Sequence, residues 1–212
     1  MSLEATHIRF ALDIKEKYQV QDIEKYVSGT IYPDSRYITK IDRELTHNDD
    51  ILRSEFAKND FRKGWQVHQI CDTIQNKIKK RALPELFLEK YNGYNEQRWV
   101  VSTAIKIIQD INDMQQFPIK DCLKYLKFSY NPNGENISDI KKYNKIIINL
   151  YKDKTKTTVE DNHKTWLALG IDNELNNKVK EKTKEFLKDK KLVKRIESCY
   201  QMILSDYIEV FI

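Results

Sequence analysis

The chain has 212 residues, 33% of them charged and 40% apolar, and a net charge of +5 with lysines and acids interleaved. That length supports one sizeable core or two small ones, and the even charge mixture argues against a nucleic-acid footprint. No segment reaches the roughly 18 apolar residues of a membrane span, and three scattered cysteines without Cys-x-x-Cys spacing make neither a disulfide framework nor a thiolate zinc site. The N-terminus carries Glu4, His7 and Arg9 where a signal peptide needs an apolar run. A cytoplasmic protein with reduced thiols is the expectation.

Only five glycines and four prolines punctuate the chain, which favours long helices. The spacing predicts a first helix over 3–18, with His7, Ala11, Ile14 and Tyr18 on one buried stripe. A second helix fits 22–28, with Gly29 as its stop. The segment "TIYPDSRYITKIDRELTH" keeps no helical period, so it reads as a loop free to aim Asp34 and His47. A third helix is expected over 49–57 with Asn48 as cap, and a fourth over 60–81. Pro84 bounds the fourth, and a short helix to Tyr91 follows. A strongly apolar helix is expected over 96–114, and Pro118 starts another short one. "YNPNGEN" is the clearest loop, and a helix follows over 137–151. "KDKTKTTVEDNH" reads as a polar, mobile segment that leaves His163 exposed. The stretch 174–211 reads as one or two helices whose apolar end docks on the body.

The chemistry concentrates in "GWQVHQICD", on the fourth helix. Residues four apart lie one above the other on a helix face. Phe61, Trp65, His68 and Asp72 therefore form one stripe, and a carboxylate on so apolar a stripe is costly unless something pairs with it. A hydrogen-bonded His–Asp pair satisfies that need, and so does a bound cation, because neutral imidazole and carboxylate both ligate zinc and similar metals. Three of the four histidines, His7, His47 and His68, fall in the first third of the chain beside Asp34 and Asp72. Asp110 and Asp113 are candidates for a further oxygen ligand. Arg36, Arg43 and Lys63 are candidates to neutralise a phosphate or carboxylate, or else are ordinary solvated cations.

"THIRFALDI", "SGTIYPDSRYITKIDRELTH" and "GWQVHQICD" together resemble the zinc-dependent phospholipase C family, which includes bacterial phospholipases C and single-strand nucleases. The likeness covers Thr6 to Asp72 and rests on the order early His, Pro-Asp, His, then Gly-x-x-x-His-x-x-x-Asp. It implies an all-α, single helical domain with a metal site at the helix ends. On it, Asp34, His47, His68 and Asp72 hold one zinc, and His7 belongs to a second that Asp72 bridges. The family's further histidines after this motif have no counterpart in "TIQNKIKKRALPELFLEK", so the resemblance leaves one or two ions, zinc or another divalent metal.

The expected organisation is one domain, with 1–130 carrying the motifs and 137–212 packing on it as C-terminal helices. The expected function is hydrolysis of a small phosphoester. Asp34 or Asp72 orients the attacking water, and Arg36 holds the developing charge. The alternative is a metal-stabilised helical binding module without catalysis.

Overall fold

The computed structural model describes residues 3–87 and 95–211, and every regular element among them is helical. Helix α1 (Glu4–Ile14) runs on into a 3-10 turn, Lys15–Tyr18, and stops where Gln19 takes a left-handed φ of 47°. Helix α2 (Ile23–Ile31) begins at Asp22, whose side chain accepts from the Lys25 backbone N–H.

Gly29 does not end α2, contrary to the sequence expectation; it lies inside the helix. Its task is close approach. A Cβ on Gly29 would lie 2.0 Å from the Phe61 carbonyl oxygen, and one on Gly64 would lie 1.9 Å from that of Tyr26. Two glycines thus let α2 and α5 (Asp60–Ala82) cross with their backbones touching. That crossing sets the distance between the Thr30 carbonyl and the His68 ring.

The stretch expected as a loop is a series of short helical turns. It comprises a 3-10 turn (Tyr32–Ser35), α3 (Arg36–Thr39) and α4 (Arg43–Thr46). Periodicity fails over elements this short. The helix expected over 49–57 is instead two 3-10 turns, parted at Arg53 where ψ is 145°. Asn48 does cap the first, accepting from the Asp50 N–H. Beyond a 3-10 turn at Pro84–Leu86, the short helix expected as far as Tyr91 lies largely outside the described residues.

Helix α6 (Glu96–Gln116) and α7 (Ile119–Cys122) precede the Tyr130–Asn136 loop, which turns at Gly134 with φ +82°. Helix α8 (Ile137–Tyr151) then matches its expected bounds. The last five residues of the segment read as mobile, 159–163, open helix α9 (Val159–Ala168), started by a reciprocal Thr158–Asp161 capping box. Helices α10 (Asn173–Lys188) and α11 (Lys190–Phe211) complete the chain and part at Asp189.

The main core joins Ile8 of α1, Val27 of α2, Ile74 of α5, Tyr143 of α8 and Tyr200 of α11. A second apolar cluster ties α6 to α10 and α11 through Ala104, Ile108, Phe186 and Ile196. No helix among the described residues is long and apolar enough to cross a membrane.

Candidate metal centre

His68 and Asp72 sit in the middle of α5, His7 in the first turns of α1, Asp34 in the Tyr32–Ser35 turn and His47 at the C-terminal cap of α4. The site is therefore built half on helix ends and half on the interior of the longest helix. All five residues are buried, with exposures from 0% at His68 to 6% at His47.

They fall into two groups of potential ligands, His7–His68–Asp72 and Asp34–His47–His68, each with its ligand atoms within 4.8 Å of one another. The residue common to both is His68, not Asp72 as the resemblance implies. In the second group His68 Nε2 and His47 Nε2 are 3.2 Å apart, and His47 Nε2 is 3.8 Å from Asp34 Oδ1. Ligands about 2.0–2.1 Å from a tetrahedral zinc lie roughly 3.4 Å from each other, so these separations suit one ion. In the first group, Asp72 oxygens lie 3.7 Å from His7 Nε2 and 3.9 Å from His68 Nε2, and the two imidazoles stack at 3.8 Å.

Hydrogen bonds decide how many ions the groups can serve. His68 Nδ1 is 2.8 Å from the Thr30 carbonyl, which can only accept, so Nδ1 carries the proton and Nε2 is the one free ligand atom. One lone pair serves one metal, so the two groups compete for His68. His47 Nδ1 meets the Thr46 hydroxyl at 2.8 Å, leaving its Nε2 facing His68.

The two carboxylates differ. Asp72 already has a cation, the Lys106 ammonium from α6 at 3.5 Å. Burial works against its charge, but the Lys106 ammonium prevails, and the carboxyl is held well below the ordinary range. Asp34 is 2% exposed, and neither of its oxygens receives a hydrogen bond among the described residues. Neither ring nitrogen of His7 has a hydrogen-bond partner among the described residues. Burial holds His7, His47 and His68 below the ordinary imidazole range, with the mutual proximity of the rings adding to it at His7 and His47. Neutral rings are what ligation requires.

Other candidates lie elsewhere. Asp110 and Asp113 are engaged in hydrogen bonds to Tyr151 and to Arg9, Thr6 and Gln109, and do not join either ligand group. Lys63 pairs with Asp60 at 2.8 Å. His163 is on α9, half-buried rather than in an exposed loop, and belongs to neither group. Arg36 donates to the Tyr37 hydroxyl at 2.7 Å and lies over that ring, at the wall of a neighbouring cleft.

Sequence reasoning missed Lys106 and the orienting groups of Thr30 and Thr46. Lys106 carried a signal: Lys106, Asp110 and Asp113 stand at i, i+4 and i+7, so three charges share one face of α6 with Thr103 and Ile107 of its buried side. The carbonyl of Thr30 carried none, because only the α2–α5 crossing brings it to His68. Comparison with protein-family models, curated proteins and solved structures found no match to this chain.

Proposed function

We propose that the chain is a mononuclear metal-dependent hydrolase of small phosphoesters, its ion held by Asp34, His47 and His68. The observation that carries this reading is Asp34: a buried carboxylate without a hydrogen-bond donor, facing two imidazole nitrogens whose other edges are fixed by neighbours. A buried charge so placed is costly without a cation. Three protein ligands leave a fourth position open, the arrangement of catalytic rather than structural zinc. When bound, a divalent cation there brings the pKa of a coordinated water near neutrality and polarises a phosphoryl oxygen.

The chain's own residues do the rest. Thr30 and Thr46 fix the two imidazoles, so the ligand set is formed before any ion arrives. Asp72, kept ionised by Lys106, is the carboxylate one turn from His68 and can orient a water by accepting its hydrogen bond. Lys106 also supplies a positive charge in the first ligand group, which favours a single ion over two. The resemblance to the zinc-dependent phospholipases C supports phosphoester chemistry.

The near-complete enclosure of the cluster favours a second reading, a metal-stabilised binding module. Assay of a chromogenic phosphoester panel with added Zn²⁺ or Mn²⁺, beside Asp34→Asn, separates the two. The hydrolase turns over at least one ester, and the variant does not. Tight stoichiometric metal with no turnover across the panel favours the module.

A further inference from the structure

A cleft of about 750 Å³ opens between α3, α4, α5, α6 and α10. Its wall is built from residues one helical turn from the cluster. Arg43 stands four residues before His47, Asn76 four after Asp72, and Ser102 four before Lys106. Four residues are about 6 Å along a helix, so three separate elements step from the cluster to the cleft in one turn each. Ser102 accepts from Lys79 at 3.0 Å, the buried lysine beside Lys106.

The cleft carries one sign of charge. Arg36, Arg43 and Arg98 line it, and no carboxylate does among the described residues. Arg36 and Arg43 make no ion pair among the described residues; the Arg36 guanidinium rests on Tyr37 and donates to its hydroxyl, and its Nε has no hydrogen-bond partner among the described residues. Trp99, Ile171 and Leu175 give the opposite wall an apolar character. Guanidiniums match phosphate and carboxylate oxygens bidentately, and this volume suits a small organic ligand.

We infer that this cleft is the substrate site and that it takes a doubly anionic phosphoester, whose non-reacting end carries a second phosphate or carboxylate held by Arg43 with Arg36. The inference rests on the hydrolase reading for the role of the cleft, not for its affinity for anions. The test is calorimetric binding of inorganic pyrophosphate to the full chain, first stripped of metal by dialysis and then loaded with Zn²⁺. Arg43 is exposed, so its replacement leaves the core untouched. Stripped wild type binds pyrophosphate saturably, and Arg43→Ala binds it about tenfold more weakly, the loss of one charge-assisted contact. Lys188→Ala, an equal change of charge on exposed α10, binds as wild type does. Equal affinity of Arg43→Ala and wild type overturns the inference, as does absence of saturable binding by the stripped protein. Arginine-dependent binding that Zn²⁺ leaves unchanged, in a protein retaining no zinc, upholds the anion site and overturns the metal reading.

Discussion

Two buried polar clusters flank α1, and they treat their charges in opposite ways. On one side Asp113 accepts from Thr6 at 2.6 Å, Arg9 at 2.8 Å and Gln109 at 2.9 Å. Asp110 beside it accepts from the Ala5 N–H and the Tyr151 hydroxyl. On the other side the side chains of Asp34 and His7 have no hydrogen-bond partner among the described residues. Both clusters are equally deep, so burial alone does not distinguish structural from functional charge. Saturation of the carboxylates does: Asp110 and Asp113 on the α6 side each accept hydrogen bonds, whereas Asp34 on the α5 side accepts none among the described residues.

The saturated side predicts the largest effect on the metal-free protein. Asp113→Ala removes the buried carboxylate 2.8 Å from the Arg9 guanidinium, leaving only the part-exposed Asp13 at 4.0 Å, and should cost about 3 kcal/mol in urea unfolding. Metal content should be unchanged, because Asp113 is in neither ligand group. A cost below about 1 kcal/mol, or a loss of bound metal, would erase the distinction between the clusters. His68→Ala should do the reverse: metal is lost, and the variant no longer gains the stabilisation that ion binding gives wild type. That gain is about 4 kcal/mol at free metal a thousandfold above Kd, read as the difference in unfolding with and without chelator.

Glu4 lies between the clusters and sharpens the comparison through pH. Burial, then the nearby Asp34 charge, raises its carboxyl from 4.5 to about 7, although the Tyr143 hydroxyl donates to it. The folded state keeps this proton up to about pH 7, whereas the unfolded chain releases it near 4.5. Folding therefore takes up a proton in that window, and the stability is complete below about 4.5 and lost as the pH rises to about 7. Glu4→Gln should be more stable than wild type at pH 8 by about 2–3 kcal/mol in metal-free protein, and nearly equal to it at pH 4. Asp113, raised by burial to about 6, preserves a weaker slope of the same sign in the variant. Parallel pH profiles for the two proteins would show that Glu4 is not the group responsible.

Much of this was legible in the sequence where periods are long. The stripe of Phe61, Trp65, His68 and Asp72 fixed α5, and buried His7 followed from the stripe on α1. What was not legible depends on contacts between segments. Gly29 carries the composition of a stop but the function of a contact, which only Phe61 on another helix reveals. Arg53 breaks the expected third helix by one torsion that no propensity encodes. The five candidate ligands were identifiable by residue type; their division into two groups sharing His68 was not, since it depends on the Thr30 carbonyl and on Lys106.

The smallest expected effect has the opposite sign to the first, and so tests the comparison most directly. Without metal, Asp34 is a buried charge whose nearest groups are imidazoles held neutral by burial. Asparagine keeps the shape and removes the charge. Asp34→Asn should therefore stabilise the metal-free protein by about 1–2 kcal/mol, the relief of one unsatisfied polar group. The same change should abolish tight metal binding, so that the variant is more stable than stripped wild type and less stable than loaded wild type. A fold-supporting carboxylate cannot give that crossing, since its loss is destabilising in both states, as expected for Asp113. Thermal unfolding of both proteins, stripped and with Zn²⁺, reads all four states. If Asp34→Asn is less stable than wild type in each, Asp34 belongs with the structural carboxylates, and the unsatisfied side of α1 is not a metal centre.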